Sequence, residues 1–407
     1  MNKICLVIGG SHAAAQFVVS LRQGGWEGDI VLIGDELDLP YHRPPLSKDF
    51  MSGDKTIEDI LIRPGSVYKT ANIELHLGVH ATHIDRTAKT VLTDKAGTFA
   101  YDKLVLATGA RVRRLNIPGA DRDNIFYLRS TKDVVPIKAA IAPDKKAVII
   151  GGGYIGLETA ASMRKQGMSV TVLEAMERIL QRVTAPVMSD FYRRVHTEEG
   201  VVIAESQVAS AIETHEQGMT VHTTSGDKFD ADMVVIGIGV IPNMELADDA
   251  GLKTGDGIFV NEFCQTNDPD IYAIGDVTWH YNPIYDTHIR LESVPNATEQ
   301  GKTAALHING NEKPYNSLPW FWSDQFDLKL QIAGLFGGYD EIIVRGDPDN
   351  SRNVATFYFK GDRLLAVDAV NSPREFMMSK MALSKDKMLD KSILIDPNGD
   401  LKSAIID

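Results

Sequence analysis

Two glycine-rich segments of the chain have the residue types and the spacing that bind the pyrophosphate of a dinucleotide. The clearer one follows the apolar run Lys146–Ile150 and reads GGGYIG from Gly151 to Gly156. Gly151 permits a tight turn, Gly153 lets the backbone approach a pyrophosphate, and Gly156 lets the following helix pack closely on the strand. Free N–H groups at the start of that helix would meet the anion. This segment predicts a dinucleotide site.

An acidic residue further along the chain predicts which dinucleotide binds there. Glu174 ends the next apolar run and stands about 18 residues after Gly156, close to the spacing expected of a carboxylate that accepts from a ribose 2′-hydroxyl. Positions 175 and 176 carry no basic residue, so NADH is favoured over NADPH. Arg178 and Arg182 follow, and they leave NADPH as the alternative.

The other glycine-rich segment follows the run Lys3–Ile8 and departs from the ideal pattern. It begins at Gly9, carries Ser11 in place of the second glycine and Ala14 in place of the third. Alanine is tolerated at that place, and serine has a small side chain that can cap a helix or donate to a phosphate. The alternative is a structural strand-to-helix turn that binds no ligand.

Two later segments combine a strand with a glycine turn. Leu104–Ala110 (LVLATGA) contains Ala107 and Gly109, and the segment Thr266–Asp276 ends in Gly275 and Asp276. Both resemble the flavin-domain signatures of flavoproteins that have two dinucleotide folds. The resemblance implies that Asp276 hydrogen-bonds the ribityl chain of FAD.

These motifs require strands and helices in a fixed order. Each glycine turn lies between a strand and a helix, and a second strand ending in an acid follows, which is the dinucleotide-binding unit. The unit occurs twice in 407 residues, a length that fits two or three domains. We therefore predict an α/β fold with two Rossmann-like dinucleotide-binding domains, and the alternating segment 355–370 indicates further strands near the end of the chain.

Composition excludes several classes of protein. A formal charge of −13 argues against nucleic acid or an anionic membrane as the main partner. Cys5 and Cys264 are the two cysteines and lie far apart, which excludes a disulfide scaffold, a cysteine-held iron–sulfur cluster and a CxxC dithiol. The histidines have no metal-ligand spacing, so no metal site is predicted. Because no apolar run approaches the ~18 residues of a membrane span and strand-like sequence begins at Lys3, we expect a cytoplasmic protein.

At this point the chain resembles a known family. The segments that carry the resemblance are Asp35, PYHRPPLSK at 40–48, GGGYIGLE at 151–158, GIGVIPN at 237–243, ESVPNA at 292–297 and PWFWSDQ at 319–325. Together they look like the bacterial NADH-dependent ferredoxin and rubredoxin reductases, which serve Rieske-type oxygenases and cytochrome monooxygenases. The resemblance implies a glutathione-reductase-like fold with an FAD domain at 1–114 and 243–315, an NAD domain at 115–242 and a smaller α+β C-terminal domain at 316–407.

The resemblance also implies an activity. The expected enzyme is an NADH:ferredoxin oxidoreductase in which a hydride passes from NADH to FAD and single electrons pass to a [2Fe–2S] ferredoxin that supplies an oxygenase. Rubredoxin or another acceptor is the first alternative. The second is an FAD protein that uses NADH as a conformational signal for a partner.

Further site residues are implied by the resemblance alone. Besides the glycine-turn residues, the FAD contacts would be Ala13, Asp35, Arg43, Lys48, Ala81, Arg129, Asp276 and Val294. The NADH side would comprise Ile155, Glu158, Glu174, Gly239 and Glu292, together with Gly151, Gly153 and Gly156.

Four residues are candidates for a catalytic role. Lys48 would stabilise negative charge on the flavin and pair with Glu158, and Ser47 is expected to start a helix with Lys48 in its first turn. Trp320 and Trp322 are two apart, so on a strand they share a face, and the resemblance places one of them against the flavin. The alternatives are a solvated lysine, a glutamate that suits its helix dipole, and ordinary aromatic core packing.

Electron-transfer partners of this family are acidic, whereas this chain is itself acidic. Transient docking would therefore need a local cationic patch, for which Lys302, Arg63 and Arg43 are the candidates. Lys302 is expected on a helix with Glu299 nearby. The alternative is that all three are ordinary solvated cations, and the chain is expected to be a monomer or a homodimer.

Overall fold

A computed structural model of the chain describes residues 3–396 and 399–406. Its strands are Ile4–Ile8 (β1), Asp29–Gly34 (β2), Ile73–Leu77 (β3), Ala81–Asp85 (β4), Thr90–Thr93 (β5), Thr98–Ala100 (β6), Lys103–Leu106 (β7), Ala110–Val112 (β8), Ile125–Tyr127 (β9), Lys146–Ile150 (β10), Ser169–Leu173 (β11), Val201–Ala204 (β12), Ala209–His215 (β13), Gly218–Thr223 (β14), Lys228–Ala231 (β15), Met233–Ile236 (β16), Val240–Pro242 (β17), Ile258–Val260 (β18), Ile271–Ala273 (β19), Thr278–Asn282 (β20), Thr287–Ile289 (β21), Trp320–Gln325 (β22), Leu328–Gly334 (β23), Glu341–Gly346 (β24), Val354–Lys360 (β25), Arg363–Val370 (β26), Met388–Leu389 (β27) and Ile405–Ile406 (β28).

The helices lie between these strands, and one short 3-10 helix spans Pro44–Ser47. The α-helices are His12–Gln23 (α1), Asp49–Ser52 (α2), Ile57–Ile60 (α3), Gly65–Thr70 (α4), Thr131–Ala140 (α5), Tyr154–Lys165 (α6), Pro186–Glu198 (α7), Glu245–Asp249 (α8), Val294–Ile308 (α9), Pro373–Ser384 (α10) and Lys391–Ile395 (α11).

The chain forms two compact units. Unit 1 comprises the residues up to His42, Thr56–Arg111 and Val240–Pro319. Unit 2 comprises Arg43–Lys55, Val112–Gly239 and the residues from Trp320 onwards. The three-domain boundaries implied by the resemblance stay a prediction.

Unit 1 is built on a parallel sheet of strand order β19-β7-β1-β2-β3. The inner strands β7, β1 and β2 carry nearly continuous apolar runs because both faces of such a sheet are covered, and Cys5, Leu6 and Val7 of β1 are fully buried. Helix α1 follows β1 and packs on α9. Two small sheets, β4-β5-β6 and β18-β20-β21, complete the unit.

Unit 2 contains a second parallel sheet, β12-β11-β10-β16-β9, and an antiparallel sheet, β22-β23-β26-β25-β24. The strand β10 has the bounds of the apolar run Lys146–Ile150, the helix α6 follows the glycine turn, and β11 ends directly before Glu174, as predicted. The remaining sheets of the unit are β13-β14-β15 and the short pair β27-β28. Two parallel five-stranded sheets together with the antiparallel C-terminal sheet confirm the predicted fold class.

Candidate functional site

The first glycine turn joins β1 to α1 in unit 1. Gly9 has φ +117°, and a Cβ there would lie 2.1 Å from the carbonyl oxygen of Ala107, so only glycine fits. Ser11 is the N-cap residue of α1, and its Oγ lies 3.5 Å from Nδ1 of His12. The first turn of α1 carries no acidic side chain. Its N–H groups and helix dipole therefore suit an anion.

The predicted flavin signature at Gly275 lies beside the same helix. A Cβ on Gly275 would be 3.1 Å from the Cβ of Ala13, which places the half-buried Asp276 next to the start of α1. The Gly275 N–H donates to Oε1 of the fully buried Gln300 at 2.7 Å, and Thr278 Oγ donates to the same oxygen at 3.0 Å. Gln300 thus fixes the turn that carries Asp276, and no sequence motif marks this residue.

Other predicted FAD contacts of unit 1 are placed by their elements. Gly109 has φ +63°, and the turn before it is held by Asn243, whose Nδ2 donates to the carbonyl oxygen of Thr108 at 2.9 Å. Asp35 is exposed and directly follows β2, at the carboxyl edge of the sheet. Ala14 and Ala81 are buried, and Val294 is half-buried at the start of α9.

The second glycine turn joins β10 to α6 in unit 2. A Cβ on Gly151, where φ is +117°, would lie 2.3 Å from the carbonyl oxygen of Gly237, and one on Gly156 would lie 2.0 Å from that of Gly151. No such contact faces Gly153, whose surroundings are open, and Ile155 is 47% exposed. Gly151 therefore permits the tight turn and Gly156 the close contact between helix and strand. The open surroundings of Gly153 leave room for a phosphate.

Glu174 lies against this turn. Its carboxylate accepts from the N–H of Gly152 and from the N–H of Met176, each at 2.8 Å. Arg178 is engaged elsewhere, because its Nη1 donates to the carbonyl oxygen of Thr184 at 2.9 Å and to Ser189 Oγ at 2.6 Å. Arg182 is exposed. The structure therefore brings the predicted ribose acceptor to the predicted pyrophosphate turn.

Lys48 and Glu158 meet inside unit 2. The Lys48 Nζ lies 2.8 Å from Glu158 Oε2, and the two side chains are only 16% and 6% exposed. Ser47 Oγ donates to the same oxygen at 2.5 Å, and Ser323 Oγ donates to Glu158 Oε1 at 2.6 Å. Neither serine was predicted as a partner of Glu158, since Ser47 was expected to start a helix and no sequence motif marks Ser323.

The expected position of Lys48 in a first helical turn is wrong. The 3-10 helix ends at Ser47 and α2 begins at Asp49, so Lys48 lies between them with φ −130° and ψ −115°. Two prolines start the 3-10 helix and set its φ values. The Ser47 hydroxyl points to Glu158 instead of starting a helix.

Trp320 and Trp322 lie on β22, as the spacing predicts. Their ring centroids are 5.5 Å apart, so they do share a face. The Lys380 ammonium lies 4.4 Å from the centroid of the Trp320 ring. Both tryptophans are half-buried. The partly exposed pair is available for a stacking contact.

Four predicted contacts belong to the compact unit other than the one that holds the glycine turn assigned to the same ligand, and their assignments stay predictions: Arg43, Lys48, Arg129 and Glu292. Arg43 and Arg129 were assigned to FAD but belong to unit 2, where Arg43 Nη1 donates to the carbonyl oxygen of Arg129 at 2.7 Å. Glu292 was assigned to NADH but belongs to unit 1, where it is exposed and paired with Arg290. Gly239 belongs to unit 2, with φ +102° and open surroundings.

The candidate docking cations differ in their surroundings. Lys302 is on α9 as expected and is 45% exposed, with its Nζ 2.7 Å from Glu299 Oε1. Arg63 is half-buried, and its Nη2 donates to Gln16 Oε1 at 3.2 Å.

No group of three or more metal-ligating side chains occurs among residues 3–396 and 399–406. Within the same residues, none of the helices has the length and the apolar character that crossing a membrane requires. Cys5 and Cys264 are free and buried, and burial raises the pKa of both thiols.

Comparisons with known proteins match both parts of the chain. The family model described as pyridine nucleotide-disulphide oxidoreductase matches residues 3–301, and the one described as reductase C-terminal matches residues 320–405. Putidaredoxin reductase of Pseudomonas putida is 41% identical, covering 99% of this chain and 97% of its own. Rhodocoxin reductase of Rhodococcus erythropolis is 42% identical, with 98% and 94% covered. A solved covalent complex of putidaredoxin reductase and putidaredoxin has a TM-score of 0.95 at 40% identity, with 99% and 98% covered.

Proposed function

The chain belongs to the pyridine nucleotide-disulphide oxidoreductase family, in its ferredoxin reductase branch, and from this premise we propose that it transfers electrons from NADH to a [2Fe–2S] ferredoxin that supplies an oxygenase. It is an oxidoreductase that uses FAD and NAD(H). FAD, when bound, accepts the hydride of NADH and passes single electrons to the acceptor.

The residues of unit 1 fit FAD. The turn at Gly9 has no room for a Cβ, the first turn of α1 carries no acidic side chain to oppose an anion, and Gly275 brings Asp276 beside that start. Gly9, Ser11 and Ala13 would face the pyrophosphate, and Asp276 would accept from the ribityl hydroxyls. Ala107 and Gly109 would line the same edge of the sheet.

Unit 2 carries the proposed NADH side. The Gly151–Gly156 turn would hold the pyrophosphate and Glu174 would accept from the adenosine ribose. The Lys48–Glu158 ion pair is nearly buried, so water screens the electrostatic interactions of its two charges only weakly. We assign this pair the task of fixing one cation and one anion where the hydride is transferred.

The single observation that carries the proposal is the presence of two strand, glycine-turn and helix units in a chain whose two cysteines are buried, with the pKa of both thiols raised by burial. A thiolate is the reactive form of cysteine. Since neither thiol can serve as an exposed relay, electrons leave by a route that needs no disulfide. That route suits an iron–sulfur acceptor.

Lys302 is the proposed contact for the ferredoxin, with Arg63 and Arg43 as the further candidates. The Lys302 side chain is 45% exposed, and Glu299 offsets its charge. Whether the acceptor is a ferredoxin or a rubredoxin depends on the shape and charge of this docking surface, which small acceptors do not need.

The test is turnover with defined acceptors. The purified protein loaded with FAD should oxidise NADH rapidly with a [2Fe–2S] ferredoxin and slowly with the acceptor absent. Rubredoxin is the comparison. Rapid turnover with rubredoxin alone would support the alternative acceptor, and absence of turnover with either protein, beside rapid ferricyanide reduction, would contradict the proposed partner.

A further inference from the structure

A line of hydrogen bonds runs from a buried histidine to Glu158. The His196 Nε2 is 2.8 Å from Gln325 Oε1, Gln325 Nε2 is 3.1 Å from Ser323 Oγ, and Ser323 Oγ is 2.6 Å from Glu158 Oε1. All four residues are 5% exposed or less. Ser323 and Gln325 are two apart on β22, so they share the face that meets α6 and α7.

Each of these hydrogen bonds has a defined direction. An ionised carboxylate only accepts, so the single O–H of Ser323 must donate to Glu158. The Ser323 oxygen then accepts from the amide group of Gln325, and the Gln325 carbonyl accepts from His196. Burial lowers the pKa of His196 to about 4. The neutral ring therefore carries one proton, which this bond holds on Nε2.

The other oxygen of Glu158 is held from a different segment. Ser47 Oγ donates to Oε2 at 2.5 Å and Lys48 Nζ lies 2.8 Å from it. The segment of Ser47 is itself attached to α6, because Ser162 Oγ donates to the Ser47 carbonyl oxygen at 2.6 Å. Glu158 is thus fixed at both oxygens, and it fixes the ammonium of Lys48 in turn.

We propose that Ser323, supported by Gln325 and His196, is a positioning residue that orients the Glu158 carboxylate and through it the Lys48 ammonium for the reaction with NADH. The proposal rests on the proposed function of the Lys48–Glu158 pair. Donors in series polarise one another and strengthen the last bond to the anion. Strand β22 therefore contributes a residue to the NADH reaction from the C-terminal part of the chain.

A matched control separates this role from simple burial of a hydroxyl. Ser379 on α10 belongs to the same unit and is also fully buried, and its Oγ has no hydrogen-bond partner within the described part of the chain. Ser379→Ala removes the same atom as Ser323→Ala without touching the network. Ser323→Thr keeps a hydroxyl at the tested place, and β-branched threonine suits a strand.

The experiment measures reduction of the FAD-loaded protein by NADH in anaerobic stopped flow, together with NAD⁺ binding by equilibrium titration and the thermal unfolding midpoint. Ser323→Ala should lower the limiting rate about tenfold, the kinetic equivalent of one hydrogen bond to a charge. The NAD⁺ dissociation constant should change less than about twofold, which marks a loss in the transition state. Ser323→Thr should recover most of the rate, and Ser379→Ala should retain it.

A double-mutant cycle with Glu158→Gln completes the test. If Ser323 acts through Glu158, adding Ser323→Ala to Glu158→Gln should cause little further loss. Wild-type rates for Ser323→Ala, equal losses in both backgrounds, or the same loss in Ser379→Ala would each overturn the positioning role. A wild-type rate for Glu158→Gln would instead show that the proposed function of the pair is wrong.

Discussion

Glu174 is the residue whose charge should select between the two nicotinamide dinucleotides. Its carboxylate is held by two backbone N–H groups beside the phosphate turn, so its position does not depend on a bound ligand. A carboxylate there accepts from a ribose 2′-hydroxyl and repels a 2′-phosphate. The sequence left Arg178 as a possible partner of a 2′-phosphate. Its guanidinium instead donates hydrogen bonds to Thr184 and Ser189.

We therefore predict that Glu174→Ala narrows the preference for NADH. The ratio of kcat/KM for NADH to that for NADPH should fall by about tenfold or more, because a charge-assisted hydrogen bond and a repulsion are both lost. Steady-state kinetics with ferricyanide measures the ratio. Glu177→Ala, which removes an exposed acid from the same loop, is the control and should leave it unchanged. An unaltered ratio in Glu174→Ala would refute the assignment.

Lys48 is the second residue with a defined expectation. The resemblance assigns it to stabilising negative charge on the flavin, and the structure shows that it is also the cation paired with a nearly buried Glu158. Lys48→Met should make the flavin midpoint potential more negative and slow reduction by NADH at least about five-fold, since a pair this shielded exceeds the ~1 kcal/mol of an exposed one.

The control for Lys48 is a lysine in an exposed pair of the same segment. Lys55 lies 2.9 Å from Asp49, and the two side chains are 43% and 52% exposed. Lys55→Met should leave both the potential and the reduction rate as in the wild type. If Lys48→Met does so too, Lys48 is a structural partner of Glu158 and no more.

At the scale of elements, the contact between α1 and α9 fixes the start of α1. A Cβ on Gly301 would lie 2.8 Å from the carbonyl oxygen of Ala13 and 3.2 Å from the Phe17 nitrogen, and both are backbone atoms. The two helices can approach this closely only because residue 301 is glycine. Ala13 is also one of the residues proposed to face the pyrophosphate.

Gly301→Ala should therefore loosen FAD binding as well as stability. Overpacking of this kind costs about 1–3 kcal/mol, and the shift of α1 should lower the amount of FAD that co-purifies per chain. Absorbance and thermal unfolding measure the two effects. Gly65→Ala on α4 is the control, since the atom nearest to its Cβ would be a side-chain carbon of Leu39 at 3.4 Å. Full FAD content in Gly301→Ala would contradict this reading.

A buried carboxyl on β26 gives unit 2 a pH-dependent stability. Asp368 accepts from Tyr358 OH at 2.6 Å and from Thr184 Oγ, and Ala185 N donates to the same tyrosine at 3.2 Å. Burial raises the pKa of Asp368 to about 6. The folded chain thus keeps this proton at pH values where the unfolded chain has lost it.

The sign of the effect follows from proton uptake. Between about pH 4 and pH 6 the folded state binds more protons than the unfolded state at this site, so stability falls as pH rises, by roughly 2–3 kcal/mol in total. Asp368→Asn should remove this slope from the unfolding midpoint. The exposed Asp362 on the β25–β26 turn is the control, and Asp362→Asn should keep the slope. Identical slopes in wild type and Asp368→Asn would exclude the carboxyl as its source.

The elements show which features a sequence can predict. The bounds of β10, α6 and β11 follow from local patterns, because glycine turns and apolar runs determine the backbone conformation of their own segments. Ser47, Ser323, Gln325 and His196 could not be predicted as a site, since they come from segments far apart in the chain that only the fold brings to Glu158. The alternating pattern of β25 and β26 predicted strands but not their burial on both faces, which depends on what covers the sheet.

At the scale of the whole molecule, the net charge of −13 sets the condition for docking. An acidic ferredoxin is repelled at long range, so a productive encounter needs a local cationic field. Lys302 could supply it, but Glu299 lies 2.7 Å from its Nζ and cancels most of its charge at a distance. Substituting one member of the pair or the other can therefore lower or raise the local positive charge.

We predict opposite effects from the two members of this pair. Lys302→Glu should raise the KM for ferredoxin several-fold, and Glu299→Gln should lower it, because the second change frees the cation that the first removes. Turnover from NADH to ferricyanide should stay the same in both variants, since a small acceptor needs no docking surface. The ferredoxin rate of the wild type should also fall with added salt.

The variant Lys145→Glu distinguishes the effect of a local cationic patch on ferredoxin docking from the effect of the net charge. Lys145 is 55% exposed and pairs with Asp232 at 2.8 Å, so it matches Lys302 in exposure and pairing but belongs to unit 2. Its reversal changes the net charge by the same amount as Lys302→Glu. An equal rise in KM from both variants would assign the effect to the overall field of the molecule. A ferredoxin rate that rises with salt, with Lys302→Glu behaving as wild type, would mean that docking is mainly apolar.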